Sequence, residues 1–228
     1  MPLFGGQAHP KGPEGRPFAE RTITIHGRTQ DCVLTLSYPQ PDDIADRVQN
    51  GYYVKDKWDS PFGLEYNYRG HFWQGDFGTL DFSLIIECRV QDSPPWKDME
   101  SLLKGIPLQH AAHNQKQKNY PPKDRQEWME PSLSQLNGIP CVQQYVYRGF
   151  DPKGEWLYYF PIDEDHVLVL SFWFVPNRIP GQSAESDWRP RAEALANQIL
   201  ATVRVRWKPS MPEKEESRGA GAKMTRFR

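Results

Sequence analysis

The chain has 228 residues, 38% of them hydrophobic and 13% aromatic, which favours a sheet-rich core of large rings over a helical bundle. Its 28 basic and 29 acidic residues give a formal net charge of -1, so no global field attracts nucleic acid or an anionic membrane. The three cysteines lie far apart without C-x-x-C spacing, which argues against a zinc or thioredoxin-like site.

The two ends of the chain differ in composition from its middle. Residues 1–20 are rich in glycine and proline and predict a disordered arm. They contain no apolar signal-peptide region, which predicts a cytoplasmic protein, or a periplasmic one if a leader was removed. Residues 21–208 predict a single domain, and residues 209–228 predict a disordered tail.

Four strands are predicted in the first half of the domain. Residues 22–25 and 32–38 are β-rich and flank a turn. Residues 42–48 predict a short helical turn. Residues 62–68 and 80–90 alternate with a period of two, which is typical of strands with one wet face. The polar positions of these two strands are Gly63, Glu65, Asn67 and Arg69 in the first and Asp81, Ser83, Glu87 and Arg89 in the second.

A helix and a long loop are predicted next. Ser93 is placed to cap a helix that starts at Pro94, and Gly105 and Pro107 are placed to end it. Residues 108–137 are polar and predict a long mobile loop, or one that orders on a partner.

The second half predicts a three-stranded meander. Its strands are residues 140–148, 155–160 and 166–175, with turns at residues 151–154 and 162–165. The third strand is apolar on both faces except for Ser171, so it should be central and covered on both sides. Because Pro161 and three acids interrupt the apolar stretch, no membrane-spanning segment is predicted.

A helix over residues 187–201 and a strand over residues 203–207 complete the domain. The apolar stripe of the helix is Trp188, Ala192, Leu195, Ala196, Ile199 and Leu200. In the final strand Val203, Val205 and Trp207 alternate with Arg204 and Arg206, which is typical of an edge strand with a charged outer face. Runs of strands with helices packed on a face predict the α+β class with a mostly antiparallel sheet.

The cysteines and the polar motifs give no specific sign of catalysis. Cys32, Cys88 and Cys141 each fall in a predicted strand and are interpreted as buried thiols; one disulfide plus a free thiol is the alternative in an oxidising compartment. Residues 181–185 lack the second glycine of a serine-nucleophile elbow. No nucleotide-binding loop is present.

Two histidine-containing motifs remain open to interpretation. His110 and His113 are three apart but lie in the predicted loop without a third ligand, so a solvated pair is favoured over a metal site. Residues 163–166, Asp-Glu-Asp-His, form an acid–imidazole pair, a calcium loop or a solvated hairpin tip, of which the tip is favoured. No catalytic residue, cofactor or metal is therefore predicted.

Three loops are predicted to contact a protein partner: the aromatic loop over residues 69–78, the polar loop over residues 108–137 and the acidic tip at residues 162–166. The segment between the second pair of strands places three large rings between glycines, and binding hot spots are rich in such side chains. The alternative is that these rings fold back over the sheet edge. The acidic hairpin tip suits a basic partner. The predicted contact residues are Arg69, His71, Phe72, Trp73, Asp76, Phe77, Asp163, Glu164 and Asp165.

The layout of the last third resembles a known group of proteins. The meander, the helix over residues 191–201 and the closing strand at residues 203–205 resemble the Mog1/PsbP-like proteins. They are also similar to the C-terminal domain of type VI secretion lipase-immunity (Tli4-like) proteins. This resemblance implies an antiparallel sheet with helices on its faces, and a non-enzymatic bacterial immunity protein that occludes a toxin. The alternatives are an adaptor in a secretion or envelope assembly, and a hydrolase with a dispersed active site.

Overall fold

The computed structural model describes residues 12–48, 51–55, 57–69, 76–90, 93–116, 126–148, 151–177 and 188–209. These residues form two antiparallel-rich sheets and two helices, which places the protein in the α+β class. In chain order the elements are β1 (Phe18–His26), β2 (Gln30–Pro39), β3 (Asp43–Asp46), β4 (Tyr52–Tyr53), β5 (Asp59–Arg69), β6 (Asp76–Cys88), α1 (Met99–Lys116), β7 (Gln126–Trp128), β8 (Ser132–Leu136), β9 (Ile139–Arg148), β10 (Asp151–Pro161), β11 (His166–Pro176), α2 (Trp188–Thr202) and β12 (Arg204–Pro209).

The larger sheet has eight strands in the order β3-β5-β6-β11-β10-β9-β7, with β8 paired to β9. Strands β9, β10 and β11 are antiparallel neighbours, so the predicted meander is confirmed. Strand β11 lies between β6 and β10, and its residues from His166 to Phe172 are all buried. The prediction that this apolar strand is central is therefore confirmed, and both of its faces are covered as far as Phe172, whereas Trp173 is exposed.

The smaller sheet has four strands in the order β12-β2-β1-β4. Strands β1 and β2 form the predicted hairpin, and β12 adds antiparallel to β2 at the edge, with Arg204 and Arg206 exposed. The only parallel pairing among the described strands is the short contact of β1 with β4. Strand β1 begins at Phe18, so the last residues of the predicted N-terminal arm are extended and paired instead.

The main core fills the space between the two sheets. It joins the inward residues of β1, β2 and β12 to one face of β5, β6, β10 and β11. Helix α2 closes this layer, and its buried residues are the six that the sequence predicts: Trp188, Ala192, Leu195, Ala196, Ile199 and Leu200. An amphipathic stripe of this kind is reliable because the helical period alone fixes which residues share a face.

Helix α1 packs on the opposite face of the larger sheet, and its bounds differ from the prediction. Leu102 and Ile106 contact buried residues of β9, β10 and β11. The helix begins at Met99, where the Asp98 carboxylate accepts a hydrogen bond from the Ser101 amide at 2.8 Å, and not at Pro94. It also continues through Pro107 to Lys116. Apolar contact with the sheet before the proline, and stacking of His110 on Trp128 after it, stabilise the helix beyond the predicted stop.

The prediction of a loop over residues 108–137 is therefore wrong for most of the residues that the structure describes there. Its first nine residues belong to α1, and β7 and β8 occupy residues 126–128 and 132–136. Both strands pair with β9. Polar composition suggested a loop, but a partner strand supplied from another part of the chain satisfies the backbone groups of these segments.

Two shorter predictions are also wrong. Residues 42–48 form no helical turn: the Asp42 amide donates to the Glu65 carbonyl and the Arg47 amide to the Pro61 carbonyl, which holds β3 against β5. Residues 151–154 belong to β10, where a register shift before Glu155 replaces the predicted turn. No helix among the described residues has the length and apolar character needed to cross a membrane.

The three cysteines lie in strands β2, β6 and β9, as predicted, and all are free thiols. Cys32 and Cys141 are buried, whereas Cys88 is half-buried and donates to the Lys55 carbonyl at 2.8 Å. Burial raises the pKa of Cys32 to about 12 and that of Cys141 to about 11. The interpretation as buried thiols holds for these two residues.

Candidate functional site

The acidic hairpin tip between β10 and β11 is fixed to the body of the protein. The Asp163 side chain is only 2% exposed, and its Oδ1 lies 2.8 Å from His166 Nδ1. Asp165 forms ion pairs with Arg28 and Arg89, both at 2.7 Å. Glu164 is the exposed acid of the tip. The favoured prediction of a solvated tip is therefore wrong for Asp163, and the acid–imidazole alternative describes this pair.

This acid–imidazole pair is buried and has a structural role. His166 is 1% exposed, so its ring lies beneath the surface. Burial of Asp163 opposes ionisation, but hydrogen bonds from His166 and from the Arg28 and Asp165 amides outweigh it and lower the pKa of the carboxyl. The pair ties the β10–β11 turn to the β1–β2 turn.

The aromatic loop predicted to contact a partner lies mostly outside the described residues. His71, Phe72 and Trp73 fall in that gap, and Asp76 is described only as the backbone that opens β6. Arg69 is the exposed last residue of β5, and Phe77 is half-buried against the main core. Among the described residues, no contact places these side chains next to the hairpin tip.

His110 belongs to α1 and not to a solvated loop. It is buried, and its ring stacks on Trp128 with centroids 3.7 Å apart. Its Nδ1 lies 3.4 Å from Gln144 Nε2, and Gln144 accepts a hydrogen bond from Tyr159 at 3.0 Å. This network fastens α1 to the sheet; the side chain of His113 lies outside the described set. No cluster of three possible metal ligands occurs among the described residues.

The register of the larger sheet creates a site that sequence reasoning missed. Asp43 pairs with Glu65, Glu65 with Asp81, Asp81 with Trp173, and Trp173 with Glu155. Residues paired in register lie on the same face, with adjacent strands about 4.8 Å apart. These five residues therefore form one line across β3, β5, β6, β11 and β10, which we call the acidic row.

The acidic row lies on the half of the sheet that α1 leaves open. Asp43 and Trp173 are exposed, Trp173 by 37%, while Glu65 and Asp81 are half-buried. Glu155 is buried and accepts a hydrogen bond from Ser171 at 2.6 Å. The accessible part of the row is therefore three carboxylates followed by an indole ring.

A line of small residues runs beside the acidic row. Ala45, Gly63, Ser83 and Ser171 occupy the next register positions on the same face. A Cβ on Gly63 would lie 3.4 Å from the Phe82 carbonyl oxygen, 3.7 Å from Ser83 Oγ and 4.0 Å from the Ala45 Cβ, so small groups surround this position. Ser171 is buried, so the accessible part of the strip is Ala45, Gly63 and Ser83.

Among the residues that the structure describes, no cation lies within ion-pair distance of the first three carboxylates of the row. In the part of the chain that the structure describes, Asp43, Glu65 and Asp81 form no ion pair. Other described aspartates do: the partners are Arg16 for Asp42, Arg21 for Asp46, and Arg47 with Lys55 for Asp59. Three carboxylates without an ion pair therefore lie side by side on the open half of the sheet.

Asp81 is the carboxyl of the row whose pKa this arrangement raises. Burial, followed by the negative charge of Glu65, raises the pKa of Asp81 to about 6. Glu65 itself accepts a hydrogen bond from the Asn67 amide group at 2.7 Å, and Asn67 accepts one from Thr79 at 3.0 Å. Glu65 therefore has a hydrogen-bond donor, whereas no described donor reaches Asp81.

Part of this site could be predicted from the sequence. The period-two patterns of β5 and β6 place Glu65 and Asp81 on polar faces, as predicted. Nothing in the sequence aligns the two strands with each other, or places Asp43 beside them. Comparison with known proteins adds no family to this description, since neither the protein-family models nor the curated proteins contain a match.

Proposed function

We propose that this protein is a non-enzymatic binding protein that holds a basic protein partner against the acidic row. In keeping with the resemblance of its layout to lipase-immunity proteins, we propose that the partner is a secreted bacterial toxin whose active site is occluded on binding. The uncompensated carboxylates of Asp43, Glu65 and Asp81 carry this proposal.

Charge and shape both support a protein partner at this face. Negative charges without internal partners attract a basic surface and speed its association. Trp173 adds an exposed aromatic ring to the same line, and tryptophan is enriched among residues that dominate binding energy. An open sheet face of this kind accommodates a protein surface better than a small molecule, because small molecules favour enclosed pockets.

The hairpin tip supports a smaller role in binding. Asp163 and Asp165 are engaged within the molecule, so their charges are already compensated. Glu164 and Arg69 remain predicted contacts at the edge of such an interface.

The test is capture of the partner by the tagged protein from its native cell, at low and high salt, with identification by mass spectrometry. A row variant carries Asp43→Asn, Glu65→Gln and Asp81→Asn. Its matched control, Glu20→Gln, Glu100→Gln and Glu130→Gln, removes the same charge from exposed positions outside the proposed interface. Since exposed charge pairs are screened by salt, the wild-type complex should weaken at high salt.

The expected result is one partner with a toxin or hydrolase domain, bound at equal stoichiometry by the wild type and the control but lost by the row variant. Inhibition of that partner's activity by the wild type completes the test. Several structural proteins recovered together would favour the adaptor alternative. Equal binding by both variants would remove the acidic row from the interface.

A further inference from the structure

The centre of the acidic row has a more specific chemistry than negative charge alone. Glu65 and Asp81 are directly opposed on β5 and β6, and Trp173 is directly opposed to Asp81 on β11. Cross-strand neighbours have Cβ atoms about 5 Å apart, so two carboxylates and one indole face converge on the same small area. The small residues Gly63 and Ser83 border it.

These features match a guanidinium group better than an ammonium group. A guanidinium is planar, bridges carboxylate oxygens with paired donors, and stacks on aromatic rings. It is also more weakly hydrated than an ammonium, which suits the half-buried carboxylate of Asp81. The indole of Trp173 provides the ring face with the strongest attraction for a cation.

We propose that the Glu65–Asp81 pair receives an arginine side chain of the basic partner, stacked beside Trp173. This inference rests on the proposed function, because it identifies the partner group that the acidic row recognises. Because burial and the charge of Glu65 raise the pKa of Asp81 to about 6, arginine binding near that pH should also release a proton from the Asp81 carboxyl to solvent. No covalent bond between protein and partner changes.

The direction of the pH effect follows from linkage. Asp81 faces Glu65 on β5 and Trp173 on β11. Glu155 on β10 lies beyond Trp173, and Asp43 on β3 lies beyond Glu65. None of these supplies a positive charge, so an incoming arginine favours the ionised form of Asp81. Arginine itself stays charged at all relevant pH values. Affinity should therefore be about tenfold weaker at pH 5 than at pH 7.5, and binding near pH 6 should release protons.

The experiment is calorimetry with two capped peptides, Arg-Ser-Arg-Ser-Arg and its lysine counterpart, in two buffers of different ionisation enthalpy. The arginine peptide should bind the wild type about fivefold more tightly than the lysine peptide. Asp81→Asn should weaken arginine binding and abolish both the pH dependence and the proton release. Asp43→Asn, which removes the same charge two strands away, should weaken binding but retain the proton release. Circular dichroism confirms that both isosteric variants are folded.

The outcomes separate this inference from the function on which it rests. Peptide binding without proton release, or equal affinity for arginine and lysine, would overturn the inference while leaving the acidic row as a basic-partner surface. If neither peptide binds and the row variant captures its partner like the wild type, the proposed function fails and the inference fails with it.

Discussion

Replacing Asp163 with alanine should destabilise the protein strongly, although the residue lies in a surface turn. Its carboxylate accepts four hydrogen bonds: from the amides of Arg28, Asp165 and His166, each at 2.9 Å, and from His166 Nδ1 at 2.8 Å. A carboxylate only accepts, so the Nδ1 atom carries the proton of the last bond. Removing the carboxylate leaves all four donors without their acceptor.

The size of the effect follows from burial. The side chains of Asp163 and His166 are 2% and 1% exposed, so water cannot readily replace the lost acceptor. A buried donor left without a partner costs about 1–3 kcal/mol, and more where the lost acceptor is a carboxylate. Because the four bonds share one side chain, their costs do not add, and we expect a loss of about 4 kcal/mol in the free energy of unfolding.

Urea unfolding followed by tryptophan fluorescence measures this loss. Glu164→Ala is the matched control: it removes an exposed acid from the same turn and should change stability by less than about 0.5 kcal/mol. The pKa of Asp163 is lowered in the folded state, so its contribution is complete above the ordinary aspartate range and is lost as pH falls through the folded value. The two variants should therefore converge in stability only in acid. Equal stability of both variants at pH 7 would refute the reasoning.

Three further predictions concern packing, reactivity and charge. Gly78→Ala should destabilise the protein by about 1–3 kcal/mol in thermal unfolding, because its Cβ would lie 2.5 Å from the Trp188 ring; unchanged stability would contradict the packing of α2 on β6. Cys88 should react with a thiol reagent in the native protein while Cys32 reacts only on unfolding, since a thiol with its pKa raised to about 12 offers almost no thiolate. Asp81→Asn should stabilise the protein by about 1 kcal/mol at pH 8 but not at pH 3, because the raised pKa of Asp81 means that ionisation of this carboxyl costs the folded state as pH rises from the ordinary aspartate range to about 6; a loss of stability at pH 8 would show that the carboxylate has a favourable partner.

The sequence determined the elements that depend on local periodicity. The stripe of α2, from Trp188 to Leu200, could be predicted completely because a period of 3.6 residues fixes a helical face without reference to the rest of the chain. The central position of β11 could be predicted for a similar reason: a strand apolar on both faces has to be covered on both. The polar faces that hold Glu65 and Asp81 were visible as an alternation of period two.

Only the tertiary structure decided what lies beside what. The continuation of α1 through Pro107 depends on contacts with the larger sheet, which outweigh the local helix-stop signal. The acidic tip is held by Asp163 and Asp165 through partners more than 70 residues away in sequence. The acidic row exists because the registers of several separate strand pairs agree, and a shift of one residue in any of them would send its carboxylate to the opposite face. Register is a long-range property, and for that reason the candidate site could not be predicted from the sequence.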